Sequence, residues 1–164
     1  MLQLLHPNET SSGRFTYEMD SLSEGDIVAD MSQFWPLFLS HVSAFRPAGT
    51  WDRILFECWI DQGYILAYPN KRGDSLTKRI PEVILGSAYF ASVVSEMDRA
   101  DDDEVVDALF AKAFESISNW IPESCRIEPA RSALNATFAS NTFVFQFMQD
   151  SDVETLVKVD LSVG

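Results

Sequence analysis

The chain has 164 residues and carries 25 acidic side chains against 12 basic ones, a formal charge of −13 with a pI near 4.3. Apolar residues make up 46% and charged residues 23%, the balance of a single folded domain over 1–164 rather than of a disordered or fibrous chain. The acid excess argues against a general nucleic-acid binder, which needs a basic footprint, and against docking on an anionic membrane.

The opening residues, Met1-Leu2-Gln3-Leu4-Leu5-His6-Pro7-Asn8, contain no basic region. Their apolar run stops at Leu5, short of the roughly 7–15 residues of a signal peptide. His6 is expected in a frayed terminus. Arg14 to Met19 alternates with period two, as a short strand does. Ser21-Leu22-Ser23-Glu24 has the form of a capping box, in which each side chain satisfies a free N–H of the other residue. Ile27, Met31, Phe34, Phe38, Val42 and Phe45 then recur at helical spacing and define one apolar face. Pro36 lies inside that stripe and lacks the N–H that would bond back to Ser32, so either the helix kinks there or it starts near Ser32. The most apolar window, Phe34 to Phe45, is too short for a membrane span. Arg46-Pro47-Ala48-Gly49 closes the segment.

Arg53 to Ile60 and Tyr64 to Tyr68 flank Asp61-Gln62-Gly63 and predict a β-hairpin. Ile54, Phe56, Cys58 and Ile60 share one face; Leu55, Glu57 and Trp59 share the other. Pro69 to Asp74 reads as a loop. Ile80-Pro81-Glu82 predicts a helix start with proline in first position, and Val83, Phe90, Val93 and Met97 supply its apolar face. Asp101-Asp102-Asp103-Glu104 opens a further helix, since acids complement the positive end of the helix dipole. Its stripe is Val106, Leu109, Phe110, Ala113, Ile117 and Trp120, and Pro122 is expected to end it. Arg126 to Glu128 and Ala133 to Phe138 read as weak strands. Thr142 to Gln149 alternates strongly, with Phe143, Phe145 and Phe147 on one face, and Val153 to Leu161 follows as a last strand. The expected fold is an α+β domain. Its antiparallel sheet consists of the central hairpin and a C-terminal meander, with about three helices packed on it.

No motif fixes a chemistry. The seven glycines never cluster into a phosphate-binding loop, and no nucleophile elbow occurs. His6 and His41 are too isolated for a zinc signature, and Cys58 and Cys125 fit no metal or redox spacing. His41 is read as a helix-face or partly buried residue, and Cys58 as a buried reduced thiol. Asp101 to Glu104 lacks the alternating ligands and glycine of a calcium loop. Asn135-Ala136-Thr137 matches a glycosylation sequon, which has no meaning without secretion, and Arg72-Gly73-Asp74 reads as a turn. These observations predict a soluble cytoplasmic protein that is not an enzyme and holds no cofactor or metal.

The charge is unevenly placed. Residues 1–30 hold six acids and one base, and Asp98, Asp101, Asp102, Asp103, Glu104 and Asp107 face only Arg99. Lys71, Arg72, Lys78 and Arg79 form the one basic segment. The acids serve either as a solvated face or as a surface that steers a basic protein partner. Candidate partner-binding residues are therefore Asp101, Asp102, Asp103, Glu104 and Asp107. Trp59 and Glu57 join them, because aromatic anchors concentrate at interfaces; the alternative for Trp59 is core packing.

A helix running into Trp51-Asp52-Arg53-Ile54-Leu55-Phe56-Glu57-Cys58-Trp59, the hairpin Asp61-Gln62-Gly63-Tyr64, and a later helix ending in Ser118-Asn119-Trp120-Ile121-Pro122 give an order of elements over roughly two thirds of the chain. That order resembles small acidic bacterial immunity proteins of polymorphic and contact-delivered toxin systems. The resemblance implies stoichiometric neutralisation of a cognate toxin, often a nuclease with a basic cleft, without a cofactor. Type III secretion chaperones are a second resemblance, in which an apolar sheet surface holds an effector segment. An uncharacterised enzyme is the third alternative.

Overall fold

The computed structural model describes residues 1–47, 49–74, 81–138 and 144–148. Among the described residues, six strands form one sheet in the order β1-β2-β5-β4-β3-β6. They are β1 (Leu2–Leu5), β2 (Arg14–Met19), β3 (Arg53–Trp59), β4 (Tyr64–Asn70), β5 (Glu82–Ser87) and β6 (Val144–Met148). The sheet is mixed, not antiparallel as expected: β2 runs parallel to β5 and β3 parallel to β6, while the β1–β2, β3–β4 and β4–β5 pairs are antiparallel. The cause lies in helix α1 (Glu24–Phe45). At about 1.5 Å per residue its 22 residues span roughly 33 Å, long enough to carry the chain across the sheet between the parallel strands β2 and β3. β4 and β5 then fill the gap between them.

Four α-helices occur among the described residues, not three: α1, α2 (Ala88–Arg99), α3 (Asp103–Arg126) and α4 (Ala130–Phe138). The N-cap of α1 is Ser23, whose hydroxyl accepts from the Asp26 amide, so the cap sits two residues later than the Ser21 box predicts. Ser21 instead donates to the carboxylate of Asp30, and Glu24 accepts from the Trp120 indole of α3 at 3.0 Å. α1 does not restart at Ser32; it is continuous through Pro36. Ile27, Met31, Phe34, Phe38 and Val42 are all buried, as their spacing predicts, whereas Phe45 at the end of the stripe is exposed. Arg46 closes the helix by donating to the Thr50 and Pro69 carbonyls and to the Asp74 carboxylate.

The hairpin forms where its pattern places it. Gly63 at φ +84° supplies the left-handed residue that ends the Ile60–Gln62 turn. Its two faces separate as the alternation requires. Ile54, Phe56, Cys58, Ile65 and Ala67 join Phe15, Tyr17, Met19, Val83 and Leu85 in the main core beneath the helices. Leu55, Leu66 and Tyr68 form a smaller cluster on the opposite face, with Trp59, Tyr64 and Ile84 against it.

Four further expectations fail. The segment after Pro81 is strand β5, not a helix start. Glu-Val-Ile-Leu-Gly pairs on both sides, with β2 and β4, and those ladder bonds outweigh the proline signal. Helix α2 starts only after Ser87, whose hydroxyl caps the Tyr89 amide. Pro122 does not end α3, which continues to Arg126. The weak strands over Arg126–Glu128 and Ala133–Phe138 are the end of α3 and helix α4; Ala130 and Leu134, four apart, are buried on one helical face. The N-terminus is also not frayed up to His6, since Leu2–Leu5 pairs with β2.

The backbone of β6 lies beside β3, with Phe145 in register with Ile54 and Phe147 with Phe56. Because the two strands run parallel, this pairing is not part of an antiparallel meander. Phe143 and the strand expected over Val153–Leu161 lie outside the described residues.

Candidate functional site

The acidic segment sits at the start of α3. Asp102 is the N-cap, and its carboxylate accepts from the Glu104 amide at 2.9 Å. Capping thus occupies one acid of the group. Asp98, Asp101, Asp103, Glu104 and Asp107 are all exposed, and none forms an ion pair among the described residues. Arg99, the one nearby cation anticipated from the sequence, turns its Nε to the Ser95 carbonyl instead. The result is a concentrated negative surface at the α2–α3 corner.

Beside it lies a shallow, open depression of about 420 Å³, lined among the described residues by Asp102, Glu104, Val105, Ala108, Leu109 and Lys112. Val105 is 48% exposed. This apolar row is out of phase with the stripe that α3 buries, which includes Ala113, Ile117, Trp120 and Ile121. The sequence reading assigned Leu109 to the core and passed over Val105. The signal was present, since Val105, Leu109 and Lys112 recur at helical spacing beside the acids.

Trp59 and Glu57 occupy the other face of the hairpin and do not join the acidic group. Glu57 is only 3% exposed, so a docking partner reaches its carboxylate only if its surroundings move. Trp59 is half-buried, with its ring 6.5 Å from that of Tyr64 and packed against the smaller apolar cluster. The tip of this hairpin, Ile60–Gln62, packs against α2 and α3.

His41 is part of the packing between α1 and β2. Its ring stacks on Phe15 at 3.5 Å between centroids, and its Nε2 lies 2.6 Å from the Tyr17 hydroxyl oxygen. Burial holds its imidazole below the ordinary pKa and raises that of Tyr17. The folded state therefore binds fewer protons at His41 than the unfolded chain does. Stability is expected to fall as the pH drops below the ordinary histidine value of about 6.5, and His41→Gln should flatten that dependence. Thermal melts of both proteins between about pH 7.5 and 5 check it; parallel curves would place the pH sensitivity elsewhere.

Cys58 and Cys125 are both buried free thiols. Burial raises the pKa of Cys58 and pushes that of Cys125 up to about 12. Since the thiolate is the nucleophile, both should resist a disulfide reagent in the native protein and react at once in denaturant. Fast labelling of either thiol in the folded state would contradict that placement.

Among the described residues no group of three or more His, Cys, Asp or Glu side chains is arranged to hold a metal ion, and no helix is long and apolar enough to cross a membrane. Comparisons with protein-family models, curated proteins and solved structures find no match to the chain.

Proposed function

We propose that this chain is a non-catalytic binding protein that neutralises a cognate basic protein, in the manner of a bacterial immunity protein acting on its toxin. The observation that carries the reading is the set of exposed acids at the start of α3, whose charge neither capping nor an ion pair among the described residues accounts for. A surface of one sign raises the encounter rate with an oppositely charged partner by about ten- to a thousandfold. Asp101, Asp102, Asp103, Glu104 and Asp107 supply that field. Trp59, half-buried on the hairpin and apart from the acids, supplies an aromatic contact.

The test is neutralisation. The partner recovered from the source cells is expressed alone and together with this chain. The expected result is a basic protein that arrests growth alone and is silenced by this chain in a stoichiometric complex. A harmless partner kept unfolded in the complex would replace this reading with an effector chaperone.

A further inference from the structure

We infer that the row formed by the exposed Val105, Ala108 and Lys112 and the half-buried Leu109 of α3 seats an amphipathic basic helix of the protein partner. This rests on the reading of the acidic surface as a docking site for a basic protein, and it adds what lies at the centre of that site. A helix that only had to stay soluble would be polar on the faces it does not bury. α3 instead carries a second apolar row, separate from the one that packs Ala113, Ile117 and Trp120 into the core. From Val105 to Lys112 the row runs two helical turns, about 10 Å, which accommodates two or three side chains of an apposed helix.

Charge complementarity selects the occupant. Asp102 and Glu104 line the depression and Lys112 is the one cation in its described lining. Asp101 and Asp103 adjoin it in sequence. Basic residues flanking an apolar anchor would meet these acids, whereas a purely apolar or acidic segment would gain nothing from them. A second copy of this chain is a poor occupant, because a two-fold contact would set the same acids against each other in a protein of formal charge −13. Anionic lipid is disfavoured for the same reason.

The experiment titrates the isotope-labelled full chain, at low ionic strength, with two synthetic helical peptides of equal length and charge. One is an amphipathic leucine–lysine helix; the other has glutamine in place of every leucine. The leucine peptide is expected to shift the amides of Val105, Ala108, Leu109 and Lys112 and to bind about tenfold more tightly than its counterpart. Val105→Ser combined with Ala108→Ser alters two exposed positions and should leave the thermal melt nearly unchanged. It should weaken the leucine peptide roughly five- to tenfold and leave the glutamine peptide unaffected. Equal binding of the two peptides would overturn the apolar seat while leaving the acidic docking surface standing. Shifts centred on β1 or on the Trp59 hairpin would overturn it as well. Failure of both peptides to bind at low ionic strength would remove the seat and the acidic reading together.

Discussion

Phe38→Ala should cost about 3–5 kcal/mol of folding stability, a large part of the roughly 5–15 kcal/mol that holds a domain of this kind together. Phe38 is 0% exposed on the inner face of α1, with ring centroids 5.5 Å from Phe34 and 5.9 Å from Trp35. Removing the ring opens a cavity inside an aromatic cluster that also includes Phe56, 5.7 Å from Trp35, so helix and sheet both lose contacts. Alanine is the better helix former, so backbone propensity does not add to the loss. The neighbouring Leu37, which is 39% exposed, provides the control. Leu37→Ala should cost about 1–1.5 kcal/mol, well below the Phe38 variant, since about two fifths of the Leu37 surface stays in water in the folded protein. Urea unfolding midpoints of the two variants check the difference. Equal losses would mean that α1 does not face the sheet through Phe38.

How much of this was legible in the sequence depended on whether a segment's local pattern agreed with its tertiary partners. The α1 stripe and the two-faced hairpin were readable because each carries a period that survives packing: Ile54 and Phe56 turn to the helices, and Leu55 to the other face. β5 was misread because Pro81 sends a local signal of helix initiation, whereas the strand state depends on pairing with β2 and β4, far away in sequence. The same non-local cause hid the mixed character of the sheet. Nothing local to Arg14–Met19 announces that its parallel neighbour will be Glu82–Ser87. α4 was missed because it is only nine residues long, too short for a clear period beside its β-branched Thr137.

The candidate site divided along similar lines. Acids clustered within one turn at a helix start are visible in any sequence, and the structure leaves them exposed. Which of them caps the helix was not visible, because Asp101, Asp102 and Asp103 are equivalent until the backbone geometry selects Asp102. Glu57 looked available because it alternates with Cys58 across a strand face, but the alternation cannot tell whether that second face is covered. It is buried.

The second large effect concerns binding. Changing Asp102, Asp103 and Asp107 together to Asn should leave the fold close to intact, at a cost of at most about 1–2 kcal/mol from weakened dipole complementarity. Asn at position 102 can still cap, since its carbonyl oxygen accepts as the Asp102 carboxylate does. What changes is the field around the α2–α3 corner. Loss of three charges from an exposed cluster should slow association by roughly tenfold or more at low salt and leave dissociation much less affected. At high salt the difference should fade, because exposed charges are screened beyond about 3 Å at 1 M. The association rate of the wild-type and triple-variant chains with the cognate partner, followed across ionic strength, tests the central claim most directly. The account predicts a steep salt dependence for the wild type, a shallower one for the variant, and rates that converge at high salt; equal rates at every ionic strength would contradict it.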